Sequence, residues 1–379
     1  MNRYADDERL VMTLDAGGTS FRFSAWRGGR PVTPVLTNPS DADDLERSLA
    51  RIVDGFRCTR DACPEPPVAI SFAFPGPADY PSGIIGDLPN LPAFRGGVAL
   101  GPMLEDAFGL PVFIANDGNL FTLGESIAGF LPYINDLLER HGSPKRYANL
   151  LGVTFGTGFG GGIVCGGELV VGDNSTGGEM WLLPNKLEPG TNAEEGACIR
   201  AVRRVYATTA GIALDLAPDP KAIFEIGTGA RQGHVEAARV AFRRLGEVAG
   251  SAIAEATALV DGLVVVGGGI SGSWPLFLGP LVEEMNGTYA NPAGGRLRRL
   301  PQRVYDVEDA PSRAAFLAGD PREVVVPGGG RRVRYDAAPR TAVGVTRLGT
   351  SEAIAIGACA LALTTLDRRS SDRSARGRP

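Results

Sequence analysis

Three glycine-rich turns with polar residues stand at the ends of apolar segments in this chain. They are residues 15–19, 156–161 and 267–272. Glycine admits positive φ angles and lets backbone N–H groups approach an anion closely. One such turn alone is more simply a tight turn. The three together, with Asp15, Thr19 and Thr157 among them, predict a site for a triphosphate.

Two of these turns also fit the G-x-G-x-x-G pattern of dinucleotide-binding proteins. A strand and not a helix follows residues 156–161, which does not suit that fold. Residues 267–272 do lie between a strand and a helix, but late in the chain, and no acid for a ribose stands at a second strand end. A P-loop is excluded, because no G-x-x-x-x-G-K-[ST] sequence occurs.

Asn116 and Asp117 directly follow an apolar segment and precede a predicted helix. Asn or Asp at that place commonly caps a helix N-terminus, and this structural role explains the pair equally well. An amide beside a carboxylate can also bind neighbouring hydroxyl groups, and the carboxylate can accept a hydroxyl proton. Asn90 and Glu179 are further polar residues within apolar loop sequence, and each of them could be a turn former or a surface residue.

Composition restricts the class of protein. Hydrophobic residues make up 44% and charged residues 21% of 379 residues, as in ordinary globular proteins, and this length favours two lobes. The net charge of −5 gives no general attraction to nucleic acid or to anionic membranes. The acidic N-terminus lacks the features of a signal peptide, and no apolar run approaches the ~20 residues of a membrane span. We therefore expect a cytoplasmic protein without nucleic-acid or membrane partners.

Hydrophobic periodicity predicts the elements that must position these residues. Strands are predicted at 10–14, 20–26, 68–74, 112–115, 150–155, 163–171 and 262–266, and helices at 41–56, 117–129, 193–211, 233–259, 275–285 and 350–366. Both halves begin with strand, glycine turn and strand, which suggests two related lobes. Residues 286–347 are rich in Pro, Gly and Arg and are expected to be irregular, with a strand at 324–326. The polar tail at 367–379 is expected to be disordered.

Taken in order, these motifs resemble those of the ROK family of sugar kinases and sugar-responsive repressors. The matching segments are LDAGGT (14–19), PGPADYPSGII (75–85), PNLP (89–92), ANDGNLFTLGE (115–125), GVTFGTGFGGGIVCGGEL (152–169), GGE (177–179), VVVGGGIS (264–271) and IAIGACALAL (354–363). The resemblance implies an α/β protein with the actin-like ATPase (ribonuclease H-like) fold, duplicated into two lobes around a central cleft. We expect one lobe at 1–117, completed by the helix at about 350–366, and a larger lobe at 118–349.

The resemblance also implies a role for individual residues. It implies phosphate and Mg²⁺ binding by Asp15, Gly17, Gly18, Thr19, Gly156, Thr157 and Gly158, with Asp15 reaching the Mg²⁺ through water. It implies Gly267, Gly268 and Gly269 near the adenosine, and Gly76, Asn90, Asn116, Asp117 and Glu179 around the sugar. Asp117 is then the catalytic base, ATP and Mg²⁺ are the cofactors, and we expect a homodimer.

One segment departs from the family pattern. Family members commonly carry Gly-His and then a CxCGxxGCxE zinc loop, where this chain has Leu182 in place of the histidine and no CxC. We therefore predict that no zinc is bound. Glu195 or Arg200 falls at the position of a second sugar-binding glutamate, and we expect both beside the sugar. Trp181 could pack on the apolar side of a pyranose or fill the core beneath the loop.

We predict an ATP-dependent sugar kinase that transfers the γ-phosphoryl group to a hexose hydroxyl, the 6-hydroxyl of a glucose-like sugar. Only nine residues precede the first strand, too few for the helix-turn-helix that repressors carry. A catalytically inactive sugar-binding or sugar-sensing protein stays open, as does a hexokinase that uses polyphosphate. Residues 130–146 and 286–347 look longer than in the family, so the identity of the sugar is not carried over.

Overall fold

A computed structural model describes residue 4 and residues 7–17, 19–88 and 91–376, the last five of these by their backbone alone. The chain divides into two compact units, which are described separately. Unit 1 comprises Met1–Gly129, Leu169–Gly177 and Leu348–Pro379, and unit 2 comprises Phe130–Glu168 and Gly178–Arg347.

Unit 1 is built on a six-stranded sheet with the order β3-β2-β1-β5-β8, in which β4 also pairs with β2. Its strands are β1 (Val11–Ala16), β2 (Ser20–Arg27), β3 (Arg30–Pro31), β4 (Leu36–Pro39), β5 (Ala69–Ala73), the small pair β6 (Ala78–Asp79) and β7 (Ile84–Ile85), and β8 (Val112–Ala115); its first helices are α1 (Leu45–Ala62), α2 (Leu100–Phe108) and α3 (Asp117–Ile127). Strands β1, β5 and β8 run parallel. Their carboxyl ends therefore lie side by side at one edge of the sheet.

Phenylalanine side chains form the core on one face of this sheet. Phe23 and Phe56 pack edge to face with ring centroids 5.2 Å apart, and Phe72 lies 5.8 Å from Phe56. Side chains alternate along β5, so that Ile70 and Phe72 enter this core while Ala69 and its alternate neighbours face the other way. Along β5 the second face thus carries small residues, which lets a helix approach closely.

Unit 2 is built on a second six-stranded sheet, with the order β11-β10-β9-β12-β18-β15. The strands of this part of the chain, inside and outside that sheet, are β9 (Leu150–Phe155), β10 (Phe159–Cys165), β11 (Glu168–Leu169), β12 (Leu263–Gly267), β13 (Thr288–Ala290), β14 (Arg296–Arg298), β15 (Arg303–Asp306), β16 (Pro321–Val325), β17 (Arg332–Asp336) and β18 (Arg340–Val345). The helices of unit 2 are α4 (Phe130–Arg140), α5 (Ile199–Ala210), α6 (Pro220–Thr228), α7 (Val235–Val260), α8 (Trp274–Met285) and α9 (Ala310–Ala318). As in unit 1, its first two strands form an antiparallel hairpin, and the first of them also pairs in parallel with a later strand of the sheet.

Residues 286–347 are more regular than the sequence predicted. They contain helix α9 and the strands β13 to β18, and two of these, β15 and β18, belong to the main sheet of unit 2. The sequence did not predict most of these elements because the segment is rich in charged residues, and some of these are buried as ion pairs inside the fold. Arg340, for example, is 2% exposed and lies 2.6 Å from the Asp336 carboxylate. The strand predicted at 324–326 overlaps β16, which forms an exposed hairpin with β17.

The glycines at 160–162 lie within strand β10 and not in a turn, whereas the sequence predicted a strand only from 163. A Cβ atom on Gly161 would meet the carbonyl oxygen of Gly178 at 2.7 Å, so the following loop packs directly on the strand backbone. Helices α4 and α6 were not predicted. Strand β8 and strand β9 have the predicted bounds.

Helix α10 (Thr350–Arg376) completes unit 1, packing along α3 and on β1, β5 and β8. The unit extends past the predicted boundary at 117 because α3 belongs to this packing. The helix also continues beyond 366 into the segment predicted to be disordered, where Asp367 accepts a hydrogen bond from Arg9 at 2.7 Å. By length and composition Thr350–Ser371 could span a bilayer, contrary to the expectation from the sequence, but the core helix of a soluble protein has the same composition.

Candidate active site

The carboxyl edge of the unit 1 sheet gathers several of the predicted site residues. Asp15 stands near the end of β1, in register with Ala73 near the end of β5. Its carboxylate is exposed and has no hydrogen bond or ion pair among the described residues. The turn that follows is tight, because the Gly17 N–H donates to the Ser20 carbonyl at 3.0 Å and a Cβ on Gly17 would crowd that oxygen. Thr19 is exposed, and Gly18 lies outside the described residues.

Asn116 and Asp117 follow β8 at the same edge and start helix α3. The Asn116 Oδ1 accepts the Gly118 N–H at 2.8 Å, so the helix-capping role is confirmed for this residue. Its amide NH₂ group has no partner in the described part of the chain and is available to a ligand. Asp117 Oδ1 accepts the same Gly118 N–H at 2.9 Å, which orients the carboxylate at the helix start.

The electrostatic surroundings of Asp117 make it a stronger base than an ordinary aspartate. The residue is solvent-accessible, yet the protein around it displaces much of the hydration that a carboxylate has in water. This desolvation raises the pKa of Asp117, the Asp15 carboxylate raises it further, and two backbone hydrogen bonds oppose the rise. A carboxylate that is accessible, fixed by a helix and raised in pKa is suited to accept a proton.

Gly76 follows β5, the strand between β1 and β8. The Tyr80 hydroxyl lies 3.1 Å from the place where a Cβ atom of Gly76 would stand, and it donates to the Phe74 carbonyl at 3.0 Å. Asn90 lies outside the described residues. The structure therefore brings Asp15, Gly76, Asn116 and Asp117 together at three adjacent strand ends.

A second group lies at the carboxyl ends of the adjacent parallel strands β9 and β12 in unit 2. Gly268, with φ +87°, follows β12, and a Cβ atom there would lie 2.7 Å from the Phe155 carbonyl carbon. The Ile270 N–H donates to the Phe155 oxygen at 3.0 Å. Of the predicted adenosine-side residues, Gly268 thus packs directly against the end of β9, and only glycine fits there.

The turn of residues 156–158 joins β9 to β10. The Gly156 N–H bonds to the Gly158 carbonyl at 2.9 Å, and the Gly156 carbonyl accepts the Ile199 N–H at 2.9 Å. The N–H groups of Thr157 and Gly158 have no acceptor among the described residues. Thr157 is exposed, and the space where a Gly156 side chain would stand is open. Free N–H groups in an open turn are suited to bind phosphate oxygens.

Glu179 and Trp181 contact each other in the loop that follows. The Trp181 indole N–H donates to the Glu179 carboxylate. The indole is partly buried and packs against the core of unit 2, which is the core contact that the sequence suggested, while its packing on a pyranose stays a prediction. Leu182, at the position of the family's histidine, is 58% exposed.

Hydrogen bonds from the backbone to the Asn185 side chain hold the loop after Leu182. Asn185 is buried, and its Oδ1 accepts the N–H groups of Leu187 and Glu188 at 3.0 and 3.2 Å. Within the described ranges no group of three or more His, Cys, Asp or Glu residues could hold a metal. The absence of bound zinc stays a prediction for elemental analysis.

Arg200 and Glu195 form an ion-pair cluster with a residue that the sequence did not single out. Arg200 Nη2 lies 2.7 Å from Glu195 Oε1 and 2.9 Å from Glu194 Oε1. Glu194 Oε2 accepts the Phe159 N–H at 3.0 Å. In the sequence, the only indication for Glu194 was that it belongs to the acidic pair 194–195 shortly after Asn192. In the structure, Asn192 caps the short helix Ala193–Glu195.

Each unit, taken by itself, offers groups that suit Mg²⁺ or phosphate. Asp15 offers an accessible, unpaired carboxylate of the kind that Mg²⁺ prefers, directly or through water. In unit 1 the turn at Gly17 offers glycine backbone, and in unit 2 the turn at 156–158 offers the free N–H groups of Thr157 and Gly158. The donor set contains no thiolate or imidazole, as expected for a hard cation.

Comparison with known proteins identifies the family. The model of the ROK family matches residues 11–296. A solved glucokinase from Parabacteroides distasonis is 52% identical, with a TM-score of 0.88 over 96% of this chain and 99% of that one. A glucokinase from Thermotoga maritima is 26% identical over 73% of this chain and 86% of its own length. A ROK family glucokinase from Streptomyces griseus, solved with glucose and AMPPNP, is 22% identical with a TM-score of 0.58 over 92% and 98% of the two chains.

The fold is that of an actin-like ATPase, as the sequence predicted. The chain belongs to the ROK family.

Proposed function

We propose that this protein is an ATP-dependent kinase that transfers the γ-phosphoryl group to a hexose, at the 6-hydroxyl of a glucose-like sugar. The chain is a sugar phosphotransferase, as its match to glucokinases supports. The observation that carries the finer proposal is Asp117: an accessible carboxylate with a raised pKa at the start of α3, beside Asp15.

Unit 1 supplies the proposed base. Asp117 accepts the proton of the attacking hydroxyl at its carboxylate, while the Gly118 N–H keeps that carboxylate in place. The free NH₂ group of Asn116 donates to a neighbouring sugar hydroxyl. Gly76 and Asn90 are proposed to complete the sugar contacts of this unit. Phosphoryl transfer needs little further from the protein than positioning and charge neutralisation.

Unit 2 supplies the proposed nucleotide contacts. The N–H groups of Thr157 and Gly158 donate to phosphate oxygens, and residues 267–269 lie near the adenosine, where Gly268 permits the close backbone packing. Glu179 is proposed to accept a sugar hydroxyl. Asp15, Gly17, Gly18 and Thr19 complete the phosphate and Mg²⁺ contacts. Mg²⁺, when bound, neutralises charge that develops on the transferred phosphoryl group.

An ADP-release assay over a panel of hexoses tests the proposal. We expect turnover with a neutral hexose and ATP, and loss of that turnover in EDTA. Polyphosphate in place of ATP tests the alternative donor in the same assay. Release of ADP with none of the hexoses, in protein that is folded, would favour a sugar-binding regulator instead.

The pH dependence of kcat/KM is expected to show the raised pKa of Asp117. The base works only when ionised, so activity should fall as the pH falls through a pKa above the ordinary aspartate value of 3.8. In Asp15→Asn the residual activity should show this fall at lower pH, because one cause of the raised pKa is removed. An unshifted profile in that variant would show that Asp15 does not act on the base.

Glu179 and Trp181 are expected to contribute to sugar binding. Glu179→Gln removes the negative charge of the carboxylate that accepts hydrogen bonds from the indole N–H and from the proposed sugar hydroxyl. Trp181→Ala removes the indole that holds this carboxylate in place. Each should raise the KM for the hexose about tenfold, the scale of one lost charge-assisted hydrogen bond, with little effect on the KM for ATP. Leu182→Ala, in the same loop but exposed, is the control. Unchanged hexose KM in both variants would exclude this pair from the sugar site.

A further inference from the structure

Three charged residues from a later part of the chain, Glu194, Glu195 and Arg200, form a cluster that holds the turn of residues 156–158 in place. Arg200 Nη1 donates to the Thr157 carbonyl at 3.2 Å. Glu194 accepts the Phe159 N–H at 3.0 Å, immediately after the turn, and its carboxylate occupies the space where a Gly158 side chain would stand. The cluster therefore contacts the turn on both sides of Gly158.

Arg200 also determines the charge beside this turn. Its Nη2 lies 2.9 Å from one carboxylate and 2.7 Å from the other, so one guanidinium is shared between two anions. The second anion, Glu195, is approached from its other side by Arg204 at 3.6 Å. Glu194 has no second cation among the described residues. Without Arg200, an uncompensated carboxylate would stand against the turn proposed to receive a polyphosphate chain.

The geometry points to Arg200 as a positioning residue for the nucleotide phosphates, a role that rests on the proposed kinase activity. It holds the Thr157 carbonyl, which shares its peptide plane with the Gly158 N–H, so that this N–H stays directed to the ligand side. The preceding peptide, which carries the Thr157 N–H, is held by the Ile199 N–H on the Gly156 carbonyl. It also neutralises Glu194, whose carboxylate holds the Phe159 N–H but would otherwise repel phosphate. This differs from the sugar-side role expected from the sequence, and the two roles predict different kinetics.

Arg200→Ala is expected to weaken binding of AMP-PNP with Mg²⁺ by roughly tenfold or more in calorimetry, and to raise the KM for ATP similarly. The KM for the hexose should stay within about twofold. Arg203→Ala, on the same helix, is the matched control, because Arg203 donates to the Ala217 carbonyl at 2.8 Å and not to the turn.

A second variant separates charge from structure. Glu194→Gln in the Arg200→Ala background keeps an acceptor for the Phe159 N–H but removes the repelling charge. We expect this double variant to bind AMP-PNP more tightly than Arg200→Ala alone, and to depend less on salt concentration. A further loss of affinity would overturn the charge argument.

The outcomes distinguish this inference from the proposed function. If the wild type binds AMP-PNP but phosphorylates no hexose, the proposed function fails while the affinity of Arg200→Ala still tests the inference. If Arg200→Ala raises the hexose KM and leaves AMP-PNP affinity unchanged, the sugar-side role is right and the inference is wrong. If the wild type binds neither AMP-PNP nor tripolyphosphate, the turn holds no phosphate and the inference is overturned.

Discussion

Asp117→Asn is expected to lower kcat by at least about 10²-fold, the usual scale of general-base catalysis. Asparagine keeps the size of the side chain and an oxygen for the Gly118 N–H, but it cannot accept the hydroxyl proton. The loss should therefore appear in kcat, while the KM for the hexose changes little. Steady-state ADP release at saturating ATP measures both constants, and turnover near that of the wild type would refute the assignment of the base.

The same variant should be at least as stable as the wild type. Because the pKa of Asp117 is raised in the folded protein, its ionised form costs stability, and this cost is fully present above the folded pKa and absent below the ordinary value of 3.8. At neutral pH the substitution removes the cost, so the thermal midpoint should stay or rise. Asp106→Asn, an exposed residue on α2, is the control and should change neither activity nor stability. A large fall in the midpoint would mean that lost folding explains lost activity.

Much of the site in unit 1 was predictable because each polar residue lies at the end of an apolar strand segment that the sequence itself reveals. An apolar run such as residues 112–115 predicts a buried strand, and a polar pair directly after it must lie at the strand end. Since parallel strands end at one edge, Asp15 and Asp117 come together although about a hundred residues separate them. The capping role of Asn116 and its possible ligand role could both be stated from its position before α3, and the structure supports the cap.

The rest depended on contacts between distant residues, which periodicity does not report. Arg200 could be placed on α5 but its partners could not, because the direction of a long side chain is decided by the carboxylates and carbonyls around it. Glu194 became significant only once the Phe159 N–H was found on it. Strand β18 was missed since Arg340, which begins it, is a charged residue whose burial depends on Asp336.

Gly124→Ala and Gly357→Ala are each expected to lower the free energy of unfolding of unit 1 by about 1–3 kcal/mol. The two glycines lie where α3 and α10 cross. A Cβ atom on Gly124 would overlap the Ala353 carbonyl, and one on Gly357 would overlap the Leu120 carbonyl. Both obstacles are helix backbone, which cannot rotate away as a side chain can, so the helices must separate. Urea unfolding followed by circular dichroism measures the loss.

Gly279→Ala supplies the matched control for this pair. Gly279 lies inside helix α8, exposed, and apart from its chain neighbours and its own helix backbone no atom lies within 4 Å of the place of its Cβ. There the higher helix propensity of alanine is opposed by the ring of the following Pro280, which disfavours a Cβ on a helical residue before it, so the free energy of unfolding should change by no more than about 1 kcal/mol. The same chemical change is therefore expected to cost less at Gly279 than at the helix crossing. An equally small effect of Gly124→Ala would show that α3 and α10 are not in close contact.

The return of α10 to the first sheet has a consequence for the order in which the chain folds as it leaves the ribosome. Residues 69, 73 and 115 present small side chains to α10, which packs on β1, β5 and β8, with Leu120 of α3 beside it. All strands of unit 2 are synthesised before Thr350, so unit 2 can reach its native state first. The residues proposed for catalysis in unit 1 are made early, yet the sheet that positions them is fully packed only after α10 has left the ribosome. We therefore expect unit 1 to complete its fold, and to place the proposed base, after unit 2.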